Sequence, residues 1–500
     1  MELYLQIFMF LLDPMVLLFI VAGTLSGIIL GAIPGLGGAI GIALLLPFTF
    51  TLDPAVALLV LGGIYMGASY GGSISAILLN TPGTAEAACT SLEGYPLSQR
   101  GYGREALQYS VLSSMIGGGV GVVFLIFFTP LLASFALEFG PAQIFLIAVA
   151  GLTIVGSLST GNVNKGILAA AIGILLSLVG TDLMTGADRF TFNTPVLRDG
   201  IPLVPVIIGL FAIAEMLDKA DRTGGNLTEG PLQKSSIMQV FKKIIFKPVL
   251  LFKSSFLGTL IGIIPGAGGA VATFIAYGEA KRTSKEKDRF GNGSVEGLTA
   301  AESSNNAAVG GSIVPLLALG VPGSTTTAIM FGALTIHGLI PGPRLFIDHQ
   351  DIAYTFIFGM LITVLVMGVV GIYGVPLFSK VLNVKLVYII PLVLVLSVFG
   401  AYSIRNSMLD VLIALIFGVI GFLLKKVNIP NAPIVLGLIL GGIAETNLRQ
   451  AITLAGSEGI SLMQYLFANP ISIVLTIIVI VIIYSSIKSS RKFTENIKSE

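Results

Sequence analysis

The chain has 500 residues, of which 54% are hydrophobic and only 11% charged, with a formal net charge of +2. A soluble globular chain carries roughly 25% charged residues, so water is not the main solvent of this one. The small net charge gives no footing for nucleic-acid binding. Cys89 is the only cysteine and His337 and His349 are the only histidines, which excludes a disulfide framework, an iron–sulfur cluster or a cysteine-rich zinc site within one chain.

A helix that crosses a bilayer needs about 20 largely apolar residues. The N-terminal stretch MELYLQIFMFLLDPMVLLF lacks a basic n-region and a small-residue cleavage site, and reads as mature sequence. Asp13 and Asp53, each followed by proline, read as helix-start residues. Residues 23–50 are expected to form a hairpin, followed by apolar spans near 55–80, 106–137, 142–160, 166–181 and 201–218. The most charged part of the chain, 217–289, is a central loop. Within it, 236–253 mixes apolar residues with four lysines and predicts an amphipathic helix in the headgroup region. A second hairpin is expected over 254–278, then spans near 300–336, 352–379, 386–403, 408–424, 431–447 and 468–487, and a basic tail over 488–500. The fold class is all-α and polytopic, with about 11–12 transmembrane segments. A first membrane repeat (1–218) and a second (254–467) flank a basic cytoplasmic loop (219–253).

The repeat is visible in the letters. Gly27–Ala39 reads GIILGAIPGLGGA and Gly258–Ala270 reads GTLIGIIPGAGGA, with eight of thirteen positions identical at an offset of 231. Gly71-Gly72-Ser73-Ile74 returns as Gly310-Gly311-Ser312-Ile313, and Thr81-Pro82-Gly83-Thr84 is echoed by Val321-Pro322-Gly323-Ser324. A looser echo links Glu93-Gly94-Tyr95-Pro96 to His337-Gly338-Leu339-Ile340-Pro341.

Cytoplasmic loops are enriched in Lys and Arg. Lys219–Lys253 holds seven basic residues and Lys281–Arg289 five, and a re-entrant hairpin bent at Pro265-Gly266 keeps both clusters on one face. Tracing the spans from there places 23 of the 28 basic residues inside, the N-terminus outside and the C-terminus in the cytoplasm. The first hairpin then enters from the external side and the second from the cytoplasmic side. Such inverted repeats are a common architecture for alternating access.

Breaks in helices at membrane depth are tolerated where protein or a water-filled cavity satisfies the freed backbone groups, so they are candidate sites. They come in matched pairs: Pro34-Gly35 with Pro265-Gly266, and Pro82-Gly83 with Pro322-Gly323. Asn80, Thr81, Gly83 and Thr84 on one side, and Asn305, Gly323, Ser324 and Thr325 on the other, are the expected substrate ligands, with Ser73 of the first glycine pair. Helix N-termini after the breaks suit an anion. The freed carbonyls around Pro34, Gly35, Gly37, Pro265, Gly266 and Gly268 suit a cation such as Na⁺. No Lys or Arg sits at the centre of an expected span, so a co-transported cation, Na⁺ or H⁺, is expected to supply part of the counter-charge. Glu302 is the candidate ionisable coupling residue. Close helix packing is the competing explanation for any one glycine, and accounts for Gly117 to Gly119.

The stretches GAIPGLGGAIGIALLLPFTF, YMGASYGGSISAILLNTPGTAEAA, GIIPGAGGAVATFIAY and ESSNNAAVGGSIVPLLALGVPGSTTTAIMFGALTIHGLIPGPRLF together resemble the large membrane subunit of the tripartite tricarboxylate transporters, the TctA family. The resemblance covers most of the chain in order. It implies a bacterial cytoplasmic (inner) membrane symporter driven by an ion gradient, with elevator-like motion. It also implies partners, a small membrane subunit (TctB-like) and an extracytoplasmic solute-binding protein (TctC-like), and carboxylates such as citrate as substrate. The sites carried over are Asn80 to Thr84 and Asn305 with Gly323 to Thr325. Here Glu302 is flanked by Ala-Ala and Ser-Ser, where the family pattern has proline before and alanine after.

An ion or solute channel is the alternative, since channels also use broken helices and carbonyls. An intramembrane enzyme finds no support: there is no HExxH, and Gly71-Gly72-Ser73-Ile74-Ser75 lacks the second glycine of GxSxG. No organic or metal cofactor is expected beyond the co-transported ion.

Overall fold

The computed structural model describes residues 2–157, 163–182, 185–194, 197–221, 235–265, 268–382, 386–477 and 479–480. Apart from one two-stranded pairing, Gly180–Thr181 with Asp188–Arg189, the described secondary structure is helical.

The first half opens with α1 (Glu2–Leu11), α2 (Pro14–Ala32) and α3 (Gly37–Leu45), the last running into a 3-10 turn at Leu46–Thr49. The Asp13 carboxylate accepts the N–H groups of Met15 and Val16, and Asp53 that of Ala55, so both aspartates are helix caps. Then follow α4 (Pro54–Leu79), α5 (Ala88–Leu97), α6 (Gly103–Ala136), α7 (Pro141–Ser157) and α8 (Val163–Ser177). α9 (Leu203–Ile207) passes through a π-helical segment (Ile208–Ile213) into α10 (Ala214–Asp221). The amphipathic α11 covers only Ile237–Ile245; an 80° bend leads to Pro248, where the second hairpin begins. Proline removes a backbone donor and suits a first helical turn, so 248–253 belongs to the hairpin rather than to the interfacial helix expected over 236–253.

The second half repeats the order: hairpin arms α12 (Pro248–Ile263) and α13 (Gly268–Thr283), then α14 (Val295–Leu319), α15 (Thr325–Ile336) and a short α16 (Leu345–Asp348). After these come α17 (Gln350–Leu382), α18 (Leu386–Arg405), α19 (Met408–Lys426), α20 (Ala432–Ser457) and α21 (Leu462–Phe467). Five described helices are long and apolar enough to cross a membrane, the hairpin arm α2 and the broken helix α4 among them, or six counting the bent pair α11–α12. The basic tail 488–500 and most of the loop before residue 235 lie outside the described residues.

Packing follows the small residues. α2 lies along α4 with Gly23, Gly27 and Gly31 against the backbone at Val60, Ile64 and Ala68. α12 lies along α14 with Gly258 and Gly262 against Ser304 and Ala308. In each case an added Cβ would meet backbone, the close approach that small residues permit in bilayers. These contacts also fix the register of the repeat. Gly71 faces Ile28, and its counterpart facing Thr259 is Gly311, not Gly310. The broken helices are therefore related by an offset of 240, one residue from the match the letters suggest. Gly117 touches Ser303, as tight packing requires, whereas Gly119 meets nothing within 4 Å.

Candidate functional site

α4 ends at Leu79 and α14 at Leu319, and the capping residues Asn80 (φ 54°) and Gly320 (φ 70°) both adopt the left-handed conformation. Asparagine and glycine are the residues that tolerate it, and it turns the chain out of the helix into Pro82-Gly83 and Pro322-Gly323. The Gly83 N–H donates to the Gly72 carbonyl (3.1 Å), and the Gly83 carbonyl accepts from the Gly35 N–H (3.2 Å). A Cβ on Gly83 would strike the Gly31 carbonyl, and one on Gly323 would strike the Gly262 carbonyl. Each hairpin thus covers the break of its own half.

Second arms cross to the opposite half. On α3, Gly38 approaches Thr326; on α13, Gly269 approaches Glu86, and these two contacts match in the same register. The Tyr65 hydroxyl bridges Ser312 (2.9 Å) and Ser324 (3.0 Å). The Asn305 amide donates to the Ser69 carbonyl (2.9 Å), and the Asn306 amide to the Met66 carbonyl (3.1 Å). Both side-chain oxygens are buried without a partner among the described residues.

Apart from Asn305, the expected ligands fall into four places. Gly35, Gly37, Gly83 and Thr84 lie together, with Thr84 in van der Waals reach of Gly37; Asn80 is exposed and Thr81 half-buried beside them. Ser324, Thr325 and Gly323 form the second place, joined to the first through Gly38 and Thr326. Ser73 is wholly buried and faces Glu302, away from the breaks. Pro265 and Gly268 flank the second bend, and Gly266 lies outside the described residues.

The two restarts differ. In the second half the helix resumes at once: Ser324 and Thr327 cap each other, the Ser324 N–H donating to Thr327 Oγ1 (2.8 Å) and the Thr327 N–H to Ser324 Oγ (3.2 Å). This leaves the N–H groups of Thr325 and Thr326 at the helix start. In the first half a turn intervenes, with the Ala87 N–H on the Thr84 carbonyl (3.2 Å), and α5 begins only at Ala88.

Glu302 is fully buried on α14. Its carboxylate accepts hydrogen bonds from Thr90 of α5 and from Ser110 (2.8 Å) and Ser114 (2.9 Å) of α6. Hydroxyls stabilise a buried carboxylate without neutralising it. Glu93, also fully buried, differs in kind. It accepts the Tyr277 hydroxyl (2.7 Å) and the N–H groups of Gly291 (2.6 Å), Gly293 (2.8 Å) and Ser294 (2.6 Å), tying α5 to the turn that starts α14.

One further group escapes a reading of the motifs alone. Lys219 Nζ donates to the Pro34 carbonyl at the tip of the first hairpin (2.5 Å), with Glu215 one turn away (3.9 Å). A carbonyl expected to be open to a cation is taken by an ammonium, the ion's nearest chemical substitute. Glu215 also accepts Lys425 (2.5 Å). The second half carries the same arrangement: Glu445 accepts Arg449 (3.0 Å) on its own helix and Arg189 (2.5 Å) from the other half. The signal was present as Ile213-Ala214-Glu215 with Lys219 and Ile443-Ala444-Glu445 with Arg449, at an offset of 230.

Two helical hairpins, two helices broken at matched Pro-Gly steps and several apolar spans define a multi-pass membrane protein of transporter type. Residues 17–436 match the model of the tripartite tricarboxylate transporter TctA family, and the chain belongs to that family, that of the large transporter subunit. It is 35% identical over 484 residues, 96% of this chain and 95% of the relative, to an Agrobacterium vitis protein described as an uncharacterized 52.8 kDa protein in the TAR-I ttuC' 3' region. It is 32% identical over 238 residues, 47% of this chain and 97% of the relative, to an uncharacterized protein of the TAR-II ttuC' 3' region of the same organism. No solved structure matches.

Proposed function

We propose that this chain is the permease of an ion-gradient-driven transporter in the bacterial inner membrane. It imports tricarboxylates or related organic acids delivered by an extracytoplasmic binding protein, with a small membrane subunit as its second partner. The observation that carries the reading is the matched pair of covered breaks, Gly31 on Gly83 and Gly262 on Gly323. It supplies two equivalent half-sites whose exposure can alternate. Between them the Thr325 and Thr326 N–H groups and the hydroxyls of Ser324 and Thr84 offer donors to carboxylate oxygens. Coupling is to Na⁺ at carbonyls freed by the breaks or to H⁺ at Glu302, whose described hydrogen-bond partners are all hydroxyls.

The inverted orientation is part of this reading. Ion pairs gather residues that charge counting assigns to one face: Lys243 with Glu105 and Lys247 with Glu296 on the cytoplasmic side, Arg189 with Glu445 and Arg405 with Asp410 on the external side. Motion is rigid-body and elevator-like, the hairpins and broken helices moving against α7–α8–α20 and α18–α19–α10.

Uptake into proteoliposomes with a cognate binding protein tests this reading, with Na⁺ and H⁺ gradients applied separately. Saturable accumulation of citrate or another carboxylate under one gradient is expected. Flux that only dissipates a gradient and does not saturate means a channel, and uptake indifferent to collapse of both gradients removes the coupling.

A further inference from the structure

The hairpins are related in sequence and unequal in position. α3, the second arm of the first hairpin, packs against the π-helical segment 208–213 and α18, and its tip carbonyl at Pro34 holds Lys219 of α10. α13, the second arm of the other hairpin, packs on α12, α14 and α5 much as α3 packs on α2, α4 and α15, with no counterpart of comparable extent to those two further contacts among the described residues. Lys219 corresponds to Arg449 of α20, each four residues after a glutamate that accepts a cation from the other half. Arg449 meets Asp182 (2.7 Å) and Glu445 (3.0 Å), not the tip carbonyl of Pro265.

We propose that Lys219 and Arg449 are alternating positioning residues, Lys219 clasping the tip of the first hairpin at Pro34 and Arg449 clasping that of the second at Pro265 when the hairpins exchange roles. The proposal rests on the alternating-access reading above and adds the residues that bias it. Gly35 makes the present clasp accessible, because a Cβ there would collide with the Lys219 ammonium and the Glu215 carboxylate. Pro265-Gly266 repeats that pair in sequence. In the opposite state Arg449 leaves Asp182, which keeps Arg189 nearby (3.6 Å), so the buried aspartate still faces a cation. Two exchanged cation–carbonyl contacts of similar strength let either state be reached without a deep well on one side.

The test uses cysteine pairs in a Cys89→Ser chain, in membranes, joined by a bis-maleimide. Pro34→Cys with Met216→Cys reports the first clasp, and Pro265→Cys with Thr446→Cys the second. Both pairs are expected to cross-link in the same preparation. Adding Lys219→Met should raise the ratio of second to first by roughly tenfold, as loss of one charge-assisted hydrogen bond from one of two states implies. Arg449→Met should lower it, and Lys219→Arg and Arg449→Lys should restore it; a purely structural role would not move the ratio in opposite directions. If the second pair never forms in chains that still transport, or the ratio ignores both Met variants, the clasp is wrong. If cross-links exchange as stated while no carboxylate is taken up, the clasp stands and the transport reading falls.

Discussion

Asn306 donates its side-chain amide to the backbone carbonyl of Met66 at 3.1 Å, and these two residues occupy the same place in the two halves, 240 positions apart. A contact between equivalent residues lies beside whatever axis relates the halves. α4 and α14 therefore cross at the centre of the repeat, with Tyr65 and its counterpart Asn305 reaching across on either side. Replacing Asn306 by Leu removes the amide donor and leaves the Met66 carbonyl to its own helix. The expected result is a destabilisation of about 1–3 kcal/mol, read as a lower unfolding temperature in detergent.

Cys89 is a convenient reporter for such measurements, being the only cysteine and wholly buried. A thiol-reactive dye should stain the chain only as it unfolds. Dye rise at low temperature, before loss of helical signal, would show that the α5–α13 contact opens on its own.

Gly83→Ala and Gly323→Ala should both be damaging, Gly83→Ala the more so, because its Cβ would lie far closer to the Gly31 carbonyl than that of Gly323, at 2.9 Å, would lie to the Gly262 carbonyl. Overpacking against backbone costs roughly 1–3 kcal/mol or more. Gly119→Ala, facing open space, should be neutral or slightly stabilising. Equal tolerance at all three positions in a dye-unfolding assay would contradict the covered-break geometry.

Ser324→Ala removes the cap of α15 and one bond to Tyr65, a loss of about 1 kcal/mol of helix-start stability. Tyr65→Phe removes the bridge and spares the cap. If the start of α15 binds the anion, Ser324→Ala should raise the half-saturating carboxylate concentration more than Tyr65→Phe does. Unchanged uptake by Ser324→Ala together with an Asn80→Ala variant would withdraw the site assignment.

Glu302→Gln keeps the shape of the side chain and the neighbouring hydroxyls and removes the ionisable group. Under proton coupling, gradient-driven accumulation should fall by at least about tenfold while carboxylate exchange across the membrane continues. Undiminished proton-driven accumulation would remove Glu302 from the coupling, whereas accumulation driven by a Na⁺ gradient alone would point to the hairpin carbonyls instead.

Much of this was legible in the sequence, and the reasons are physical. Broken helices announce themselves because Pro-Gly and a left-handed cap are needed to leave a helix, so Pro82-Gly83 and Pro322-Gly323 stood out. The register was harder: Gly71-Gly72 and Gly310-Gly311 look alike as letters, but only backbone contact with Ile28 and Thr259 tells which glycine faces the hairpin. Likewise, hydropathy does not separate α11 from α12, and the 80° bend before Pro248 does. Lys219 lay in a segment whose charge marked a loop, while its ammonium reaches the hairpin tip. Contacts between residues 185 apart in sequence leave no local pattern.

The orientation of the two hairpins tests the central claim most directly. In a Cys89→Ser chain, single cysteines at Phe50, the base of the first hairpin, and at Lys285, beyond the second, are probed with a membrane-impermeant maleimide on intact cells. The inverted repeat requires Phe50→Cys to be labelled from outside and Lys285→Cys only after permeabilisation. Labelling of both from the same side would make the repeats parallel and remove the basis for alternating access between them.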